Sequence, residues 1–475
     1  MAEVSTGSPA AALRRVLIPL ALAQFICSFA GSNMNVMIND MSEDLDTTVQ
    51  GIQLAITLFL LVMAALMIPG GKLTDRYGRK KCLNIGLVVY GVGAVVSALA
   101  PGLPVLIIGN SILEGVGTAL LIPPVYILTT LLFVDVTGRA RAFGAINAMA
   151  GIGAATGPLL GGLIATALSW RAAFVFQALV IVVIVVLSRR DVRDPLPADP
   201  TRPFDTVGAV LSAIGLVLVV LGILVAAENL WLTAGLVLAG VLVLAGFFQW
   251  LRTRERAGKE ALLSTALFHN RTSNLGLITQ NFQWLVLMGI SFVVSAFLQV
   301  VRGYNAIQTG LILTAATVGL LASSLAAARL AKRRSQRTLI VAGFVLTVAG
   351  IIVFLVLVGL SKDVWALLPG LFLVGLGIGA MLTPSVNVVQ SSFPENLQGE
   401  ISGLSRSVSN LGSSMGAAIA GTILVVELGT RPGSSYAAAL IVLAVISLVG
   451  LVAAALLPGT TAAPATAANP GQPAR

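Results

Sequence analysis

Histidine is nearly missing from this chain of 475 residues: there is one, His269, and there are only two cysteines, Cys27 and Cys82. His269 stands in a polar segment beside Asn270 and Arg271, with no cysteine or carboxylate at ligand spacing, so neither a metal site nor a catalytic triad is expected there. The cysteines fall inside separate apolar runs and form no disulfide framework. Charge is scarce as well. Charged residues make up 10% of the chain, whereas soluble domains average about 25%, and a water-exposed globule cannot be built from so few. Phosphate-binding loops and nucleophile constellations are also missing. The chain reads as a non-enzyme that uses neither a metal nor an organic cofactor.

What the chain has instead is apolar length. Hydrophobic residues are 57% of it and the mean hydropathy is +0.97. Stretches of about 20 apolar residues, nearly free of charge, recur from end to end and read as transmembrane helices. The expected fold class is an all-α polytopic membrane protein embedded in a lipid bilayer. A formal net charge of +10 would point to nucleic acid if it formed one basic patch. Here the lysines and arginines lie in short clusters between apolar runs, as membrane topology requires. Nucleic acid is not an expected partner.

Residues 1–15 form a small polar N-terminal segment ending in Arg14 and Arg15. The first apolar run, 16–38, resembles a signal peptide as far as Ser28-Phe29-Ala30. It continues past that point and carries Asn33 and Asn35, so it reads as an uncleaved first span. Five more runs complete an N-terminal six-helix bundle over 16–188. A charged, proline-rich connector at 189–205 leads into an extra helix pair at 206–251, almost wholly apolar, which reads as packing or lipid-facing material outside a solute path. A second connector, 252–272, precedes a C-terminal six-helix bundle over 273–457. The tail, 458–475, has a disordered composition rich in Ala, Thr, Pro and Gly. The spans number about fourteen, in an order of six, two and six. An even count puts both termini on one side. If that side is the cytoplasm, only Arg171, Arg302, Lys362 and Arg431 fall in the opposite loops, with Arg406 inside a helix. A monomer crossing the plasma membrane many times, with both termini cytoplasmic, is the expectation.

One polar stretch stands apart: Gly71-Lys72-Leu73-Thr74-Asp75-Arg76-Tyr77-Gly78-Arg79-Lys80-Lys81, expected as a charged, glycine-bounded loop between the second and third spans. Gly71 and Gly78 permit tight turns and close helix approach. Asp75 near a helix end can pair with Arg79 and also cap a helix of the opposite half. Aligning the two halves sets 328–337 beneath this stretch. Basic charge persists there, but Lys332 replaces Asp75 and Ser335 replaces Gly78. Topology explains the basic charge in both copies. The acid and paired glycines of the first copy call for another role, a latch worth on the order of a few kcal/mol that biases a two-state carrier.

The pattern Gly71-x-x-x-Asp75-Arg76-x-Gly78-Arg79-Lys80-Lys81 matches at every position the loop motif between helices two and three of the major facilitator superfamily. Gly153-x-x-x-Gly157-Pro158-x-x-Gly161-Gly162 in the fifth span is similar to the superfamily's antiporter motif. Phe297-Leu298-Gln299-Val300-Val301-Arg302-Gly303-Tyr304, Gly375-x-Gly377-x-Gly379 through Pro384, and Gly399-x-x-Ser402-Gly403 resemble stretches of the fourteen-span drug:proton antiporter family. The likeness covers roughly 16–457. It implies two six-helix bundles that alternate access around a midplane site, with Gly71, Asp75, Arg76, Gly78 and Arg79 acting in the switch. It also implies export of small organic, drug-like or amphiphilic molecules in exchange for proton influx. The chain departs from the family where proton coupling usually resides. Ser111 stands where family members carry arginine, Glu114 where they carry glutamine, and Ala30-Gly31-Ser32 aligns with their Asp-Thr-Thr segment.

An ionisable residue deep in a span costs about 2.5–3.5 kcal/mol on insertion scales and is a functional candidate by default. Glu114, mid-way along the fourth span, is the one acid clearly so placed, with Asp40 near the outer end of the first span as a weaker second. Glu114 reads either as the proton carrier or as a carboxyl held permanently neutral for hydrogen bonding. Gln24, Asn33 and Asn35 of the first span, Asn110 and Ser111 of the fourth and Asn147 of the fifth could line a central cavity. So could Gln280, Asn281 and Trp284 of the ninth span, Asn387 of the twelfth, and Asn410 of the thirteenth. Arg406 adds a possible anion partner, or snorkels to the cytoplasm. About half of these groups are expected to make helix–helix hydrogen bonds instead. Small residues every four positions at Gly153, Gly157 and Gly161, and again at Gly412, Gly416 and Ala420, should form flat faces for close helix contact. Two other readings stay open: a facilitator or proton symporter importing a small metabolite and, more remotely, a membrane receptor without transport.

Overall fold

The computed structural model describes residues 9–133, 135–194, 198–201, 203–330, 334–361, 363–394, 397–427 and 434–458. The polar N-terminus up to residue 8, the tail from 459, residues 331–333 of the second basic segment and the side chain of Asn147 lie outside the described residues. The chain folds into α1 (Pro9–Asn33), α2 (Ile38–Asp44), α3 (Val49–Tyr77), α4 (Arg79–Ala98), α5 (Leu103–Leu106), α6 (Gly115–Leu132), α7 (Val136–Ala167) and α8 (Trp170–Asp191). Then come α9 (Thr206–Leu224), α10 (Leu230–Arg256), α11 (Arg271–Ala296), α12 (Ala306–Leu330), α13 (Gln336–Leu360), α14 (Leu368–Gln390), α15 (Gln398–Glu427) and α16 (Ser434–Ala455). A π-helical segment, Ile107–Glu114, joins α5 to α6, and a second, Phe297–Val301, extends α11.

In a bilayer, helix ends must satisfy their free N–H groups within the protein or at the surface. Thr48, Asp135, Ser169, Asp205, Asn229, Asn270 and Ser335 each accept a hydrogen bond from the N–H three residues on, starting seven of the helices. Among the described residues, thirteen helical stretches are long and apolar enough to cross a membrane. The more polar α15 runs antiparallel to α3 through the same depth. Ser407 Oγ donates to the Ala64 carbonyl (2.5 Å), Ser414 Oγ to that of Thr57 (2.9 Å), and Gln53 Nε2 to that of Ala417 (3.0 Å).

The N-terminal half packs α1 on α7, α3 on α6, and α4 on α6 and α8, while the C-terminal half packs α11 on α15, α12 on α14, and α13 on α14 and α16. Glycine permits the tightest of these contacts. A Cβ on Gly153 would strike the Phe25 carbonyl of α1, and one on Gly157 would strike Ser32 Oγ. In the other half a Cβ on Gly412 or Gly416 would strike the carbonyls of Asn281 or Leu285 of α11, and Ala420 is wholly buried. The two glycine faces thus hold corresponding helix pairs in the two halves. Besides α3 on α15, the halves meet where α7 lies on α12: Gly162 touches the Ala306 carbonyl, Gly310 touches that of Pro158, and Ile307 N–H donates to Thr166 Oγ1 (3.2 Å). Of the extra pair, α9 rests on α3 and α15, and α10 packs on α9.

Forcing an isopropyl group against the Leu285 carbonyl should cost about 1–3 kcal/mol. Gly416→Val is therefore expected to lower the thermal midpoint of the detergent-solubilised protein, whereas Gly359→Val, with open space around its Cβ, should leave it unchanged.

Candidate functional site

The charged stretch is almost entirely helical, in place of the loop its glycines foretell. Helix α3 continues to Tyr77, Gly78 alone turns the chain at φ +94°, and α4 starts at Arg79. A positive φ of this kind favours glycine. The close helix contact belongs to Gly70, whose Cβ would strike the Ala119 carbonyl of α6; Gly71 has only an ordinary contact, 3.7 Å from Pro123. Arg79 Nη2 donates to Asp75 Oδ1 (2.7 Å) across one helical turn. Arg76 lies over the ring of Tyr77, its guanidinium carbon 5.6 Å from the centroid. The connector folds back on the stretch: Asp194 Oδ2 accepts from Lys80 N–H at the start of α4 (3.2 Å), and Asp199 N–H donates to the Asp75 carbonyl (3.4 Å). Lys72 reaches the other half and pairs with Glu400 in the first turn of α15 (2.8 Å). The second oxygen of Glu400 accepts from the Ser264 N–H of the second connector (2.9 Å).

At the opposite end of the bundle, the halves are bridged by Gln299 in the π segment after α11. Its Nε2 donates to the Asn35 carbonyl (2.8 Å) and its Oε1 accepts from Asn39 N–H (3.0 Å), while Asn35 Nδ2 approaches Met288 Sδ (3.7 Å). Asp40 lies in the same short helix, α2. Its partial burial and, less strongly, the nearby charge of Glu43 raise its carboxyl above the ordinary range. Asp44 behaves oppositely. Hydrogen bonds from Arg171 and from Trp170 Nε1 (2.9 Å) hold its carboxyl below that range, despite the opposing effect of desolvation.

Glu114 closes the first π segment and is 0% exposed. It faces α4 within the N-terminal half: Ser97 Oγ stands 3.4 Å from Oε1, Gly93 leaves room for its Cγ, and Oε2 has no hydrogen-bond partner. Tyr90, also on α4, hydrogen-bonds Gln177 of α8 (2.5 Å) beside it. Thr118 Oγ1, one turn on, donates to the Glu114 carbonyl (2.8 Å) and is 3.8 Å from Cys27 Sγ. π segments interrupt regular helices mostly at functional positions, and here one places the single buried carboxyl of the described spans beside the hydroxyl of Ser97.

Several polar candidates are engaged in helix packing. Ser111 Oγ donates to the Ala55 carbonyl of α3 (2.7 Å), Gln280 Oε1 accepts from Ser405 Oγ of α15 (2.8 Å), and Asn281 Nδ2 donates to the Val408 carbonyl (3.0 Å). Asn33 is wholly buried with Gly161 packed on its Cβ and both side-chain polar atoms unpartnered. Asn110 Nδ2 and Asn410 Nδ2 are likewise buried without partners. Trp284 and Asn387 are partly buried on α11 and α14. Arg406 turns inward rather than to the surface: its Nη2 donates to Tyr126 OH on α6, and that hydroxyl donates to Gln24 Oε1 on α1 (3.3 Å). Residues from both halves meet at this point.

A family profile described as Major Facilitator Superfamily matches residues 20–270, 202–417 and 276–474. The chain belongs to this superfamily. Members similar to it include a puromycin resistance protein of Streptomyces alboniger, 29% identical over 86% of this chain and 81% of that protein. Another is a probable actinorhodin transporter of Streptomyces coelicolor, 28% identical over 91% and 76%. The multidrug efflux pump LfrA of Mycolicibacterium smegmatis is 29% identical over 78% and 72%. The fold is shared with a crystal structure of a peptide transporter, POT, in complex with sulfate, at a TM-score of 0.68, 17% identity, and 93% and 95% coverage. Like other superfamily members, the chain is a multi-pass membrane transporter and not an enzyme.

Residues of this superfamily protein to which sequence reasoning gave no site role are Lys72, Glu400, Gln299, Asn39 and Tyr126. Each bridges the two halves, and although Lys72 and Gln299 stand in stretches quoted above, no local spacing marks their partners. An ion pair with about a quarter of each side chain exposed is worth about 1 kcal/mol or less, so Lys72→Glu should shift the conformational equilibrium by about fivefold or less. Combining it with Glu400→Lys should restore the original balance, read as a double-mutant cycle of accessibility to a thiol reagent at the basic end. Protonated Asp40 is favoured in the present arrangement. Its contribution is complete below the ordinary carboxylate pKa and fades as pH rises through the raised value. Asp40→Asn should flatten this part of the pH dependence of far-end closure, measured by the distance between spin labels on α2 and α12.

Proposed function

We propose that this transporter exports small organic, drug-like amphiphiles across the plasma membrane by proton antiport, with both termini in the cytoplasm and the chain acting as a monomer. The observation that carries the coupling step is Glu114, a fully buried carboxyl with one oxygen unpartnered. The relatives named for puromycin resistance and multidrug efflux support the direction and the solute class. The Lys72–Glu400 pair at one end and the Gln299 bridge at the other support alternating access, because each tie spans the joint between the halves, and the Asp75–Arg79 pair follows Lys72 within one to two helical turns. A proton taken up on Glu114 neutralises the one buried acid of the described spans. Its release leaves a buried carboxylate with the Ser97 hydroxyl 3.4 Å from one oxygen, which makes the two protonation states two differently stabilised packings.

Everted vesicles energised by respiration should alkalinise when a transported drug is added. In Glu114→Gln that response should fall to background, while passive equilibration of the drug down its own gradient persists. Uptake by wild type that is indifferent to the proton gradient and stops at equilibration would overturn antiport and favour a facilitator.

A further inference from the structure

We infer that the joint of α1, α6, α7 and α15 is the substrate subsite and that it selects aromatic anions; the inference rests on the export reading and narrows its solute class. Measured from their ends at the basic face, Gln398 and Leu132, Arg406 and Tyr126 lie about 12 and 9 Å deep at 1.5 Å per residue. At this depth the Arg406 guanidinium carbon sits 5.0 Å from the Tyr126 ring centroid, and Nη2 donates to the Tyr126 hydroxyl. The other face of the site is aromatic: Tyr126 stacks with Phe143 of α7 at 5.9 Å between centroids, with an interplanar angle of 21°. Gln24 completes the ring of contacts through Tyr126.

Charge decides the class of ligand. Among the described residues no carboxylate lies within ion-pair distance of Arg406, and the hydroxyl and the ring compensate a guanidinium only in part. An uncompensated cation inside a membrane protein is costly, and such residues pair with a partner or mark a solute path. Here the guanidinium stands where the two halves meet, only partly buried, with Nε and Nη1 engaged by no described group. Glu114 cannot serve as a counter-ion for an organic cation at this point, because it is sealed between the π segment and α4 with no exposed surface. The joint therefore offers a planar, two-donor fork for a carboxylate, sulfonate or phenolate, and a Tyr126–Phe143 stack for the flat body that carries it.

The test uses the purified full-length protein with two probes of similar size, fluorescein as the carboxylated aromatic anion and ethidium as the aromatic cation. Equilibrium binding in detergent is measured first, then flux in proteoliposomes. Wild type should bind fluorescein and prefer it to ethidium. Arg406→Gln should weaken fluorescein by about tenfold or more, the loss of a charge-assisted contact, without weakening ethidium. Arg406→Lys, which keeps the charge but not the fork, should retain part of the affinity, and Tyr126→Leu should weaken fluorescein while leaving the charge in place. Size-exclusion profile and thermal midpoint identify any variant that fails to fold, and the Lys variant then carries the test. Binding of ethidium equal to fluorescein, or fluorescein affinity unchanged in Arg406→Gln, would overturn the inference even if export is intact. Arg406-dependent fluorescein binding without outward flux would uphold the subsite and overturn the export reading.

Discussion

Inside a bilayer, two apolar helices gain little by leaving lipid for each other, so association depends on how closely their backbones can approach. In this protein that approach is set by glycine. Gly153 and Gly157 of α7 lie against backbone of α1, and Gly412 and Gly416 of α15 lie against carbonyls of α11. Gly375 and Gly379 of α14 press on the carbonyls of Ala316 and Leu320 of α12 in the same way. These contacts fix each half as a unit, because a single added methyl would have to displace backbone. Everything that can move is arranged around these fixed pairs.

The ties between halves have a different chemistry. They are hydroxyl and amide bonds to carbonyl oxygens, as from Ser407, Ser414 and Gln53, and a half-screened ion pair at Lys72 and Glu400. Each has a modest net free energy, about 0.5–1.5 kcal/mol for a neutral bond, and can be exchanged for water or another partner. Glycine contacts inside the halves and exchangeable polar ties between them separate what must stay rigid from what must rock. Pro158 and Gly162 stand on that boundary, packed against Gly310 and Ala306 of the other half.

The sequence made the fold legible because long apolar runs and basic clusters are dictated by the bilayer itself. The Asp75–Arg79 pair and the turn at Gly78 were readable too, since both depend on spacing within one or two helical turns. What spacing cannot supply is rotation about the helix axis and partnership across hundreds of residues. Ser111 and Glu114 are three residues apart, yet one hydroxyl meets α3 and the other side chain meets α4, with a π segment altering the register between them. Gly70 and Gly71 differ by one position, and only the first presses against the backbone of α6. Lys72 finds Glu400 and Arg406 finds Tyr126 through the assembly of two halves, so no local pattern announces either.

The extra pair makes the molecule unequal around its circumference. α9 covers the line where α3 meets α15: Val220 packs with Leu61 and Ala418, and Thr422 Oγ1 donates to the Ile223 carbonyl (3.1 Å). Where α7 meets α12, Leu163, Leu311 and Val318 are exposed instead. Acyl chains can press against the moving joint on that side and are fenced from the α3–α15 joint by a proteinaceous wall. A bilayer component able to wedge between the halves thus has a single flank from which to act.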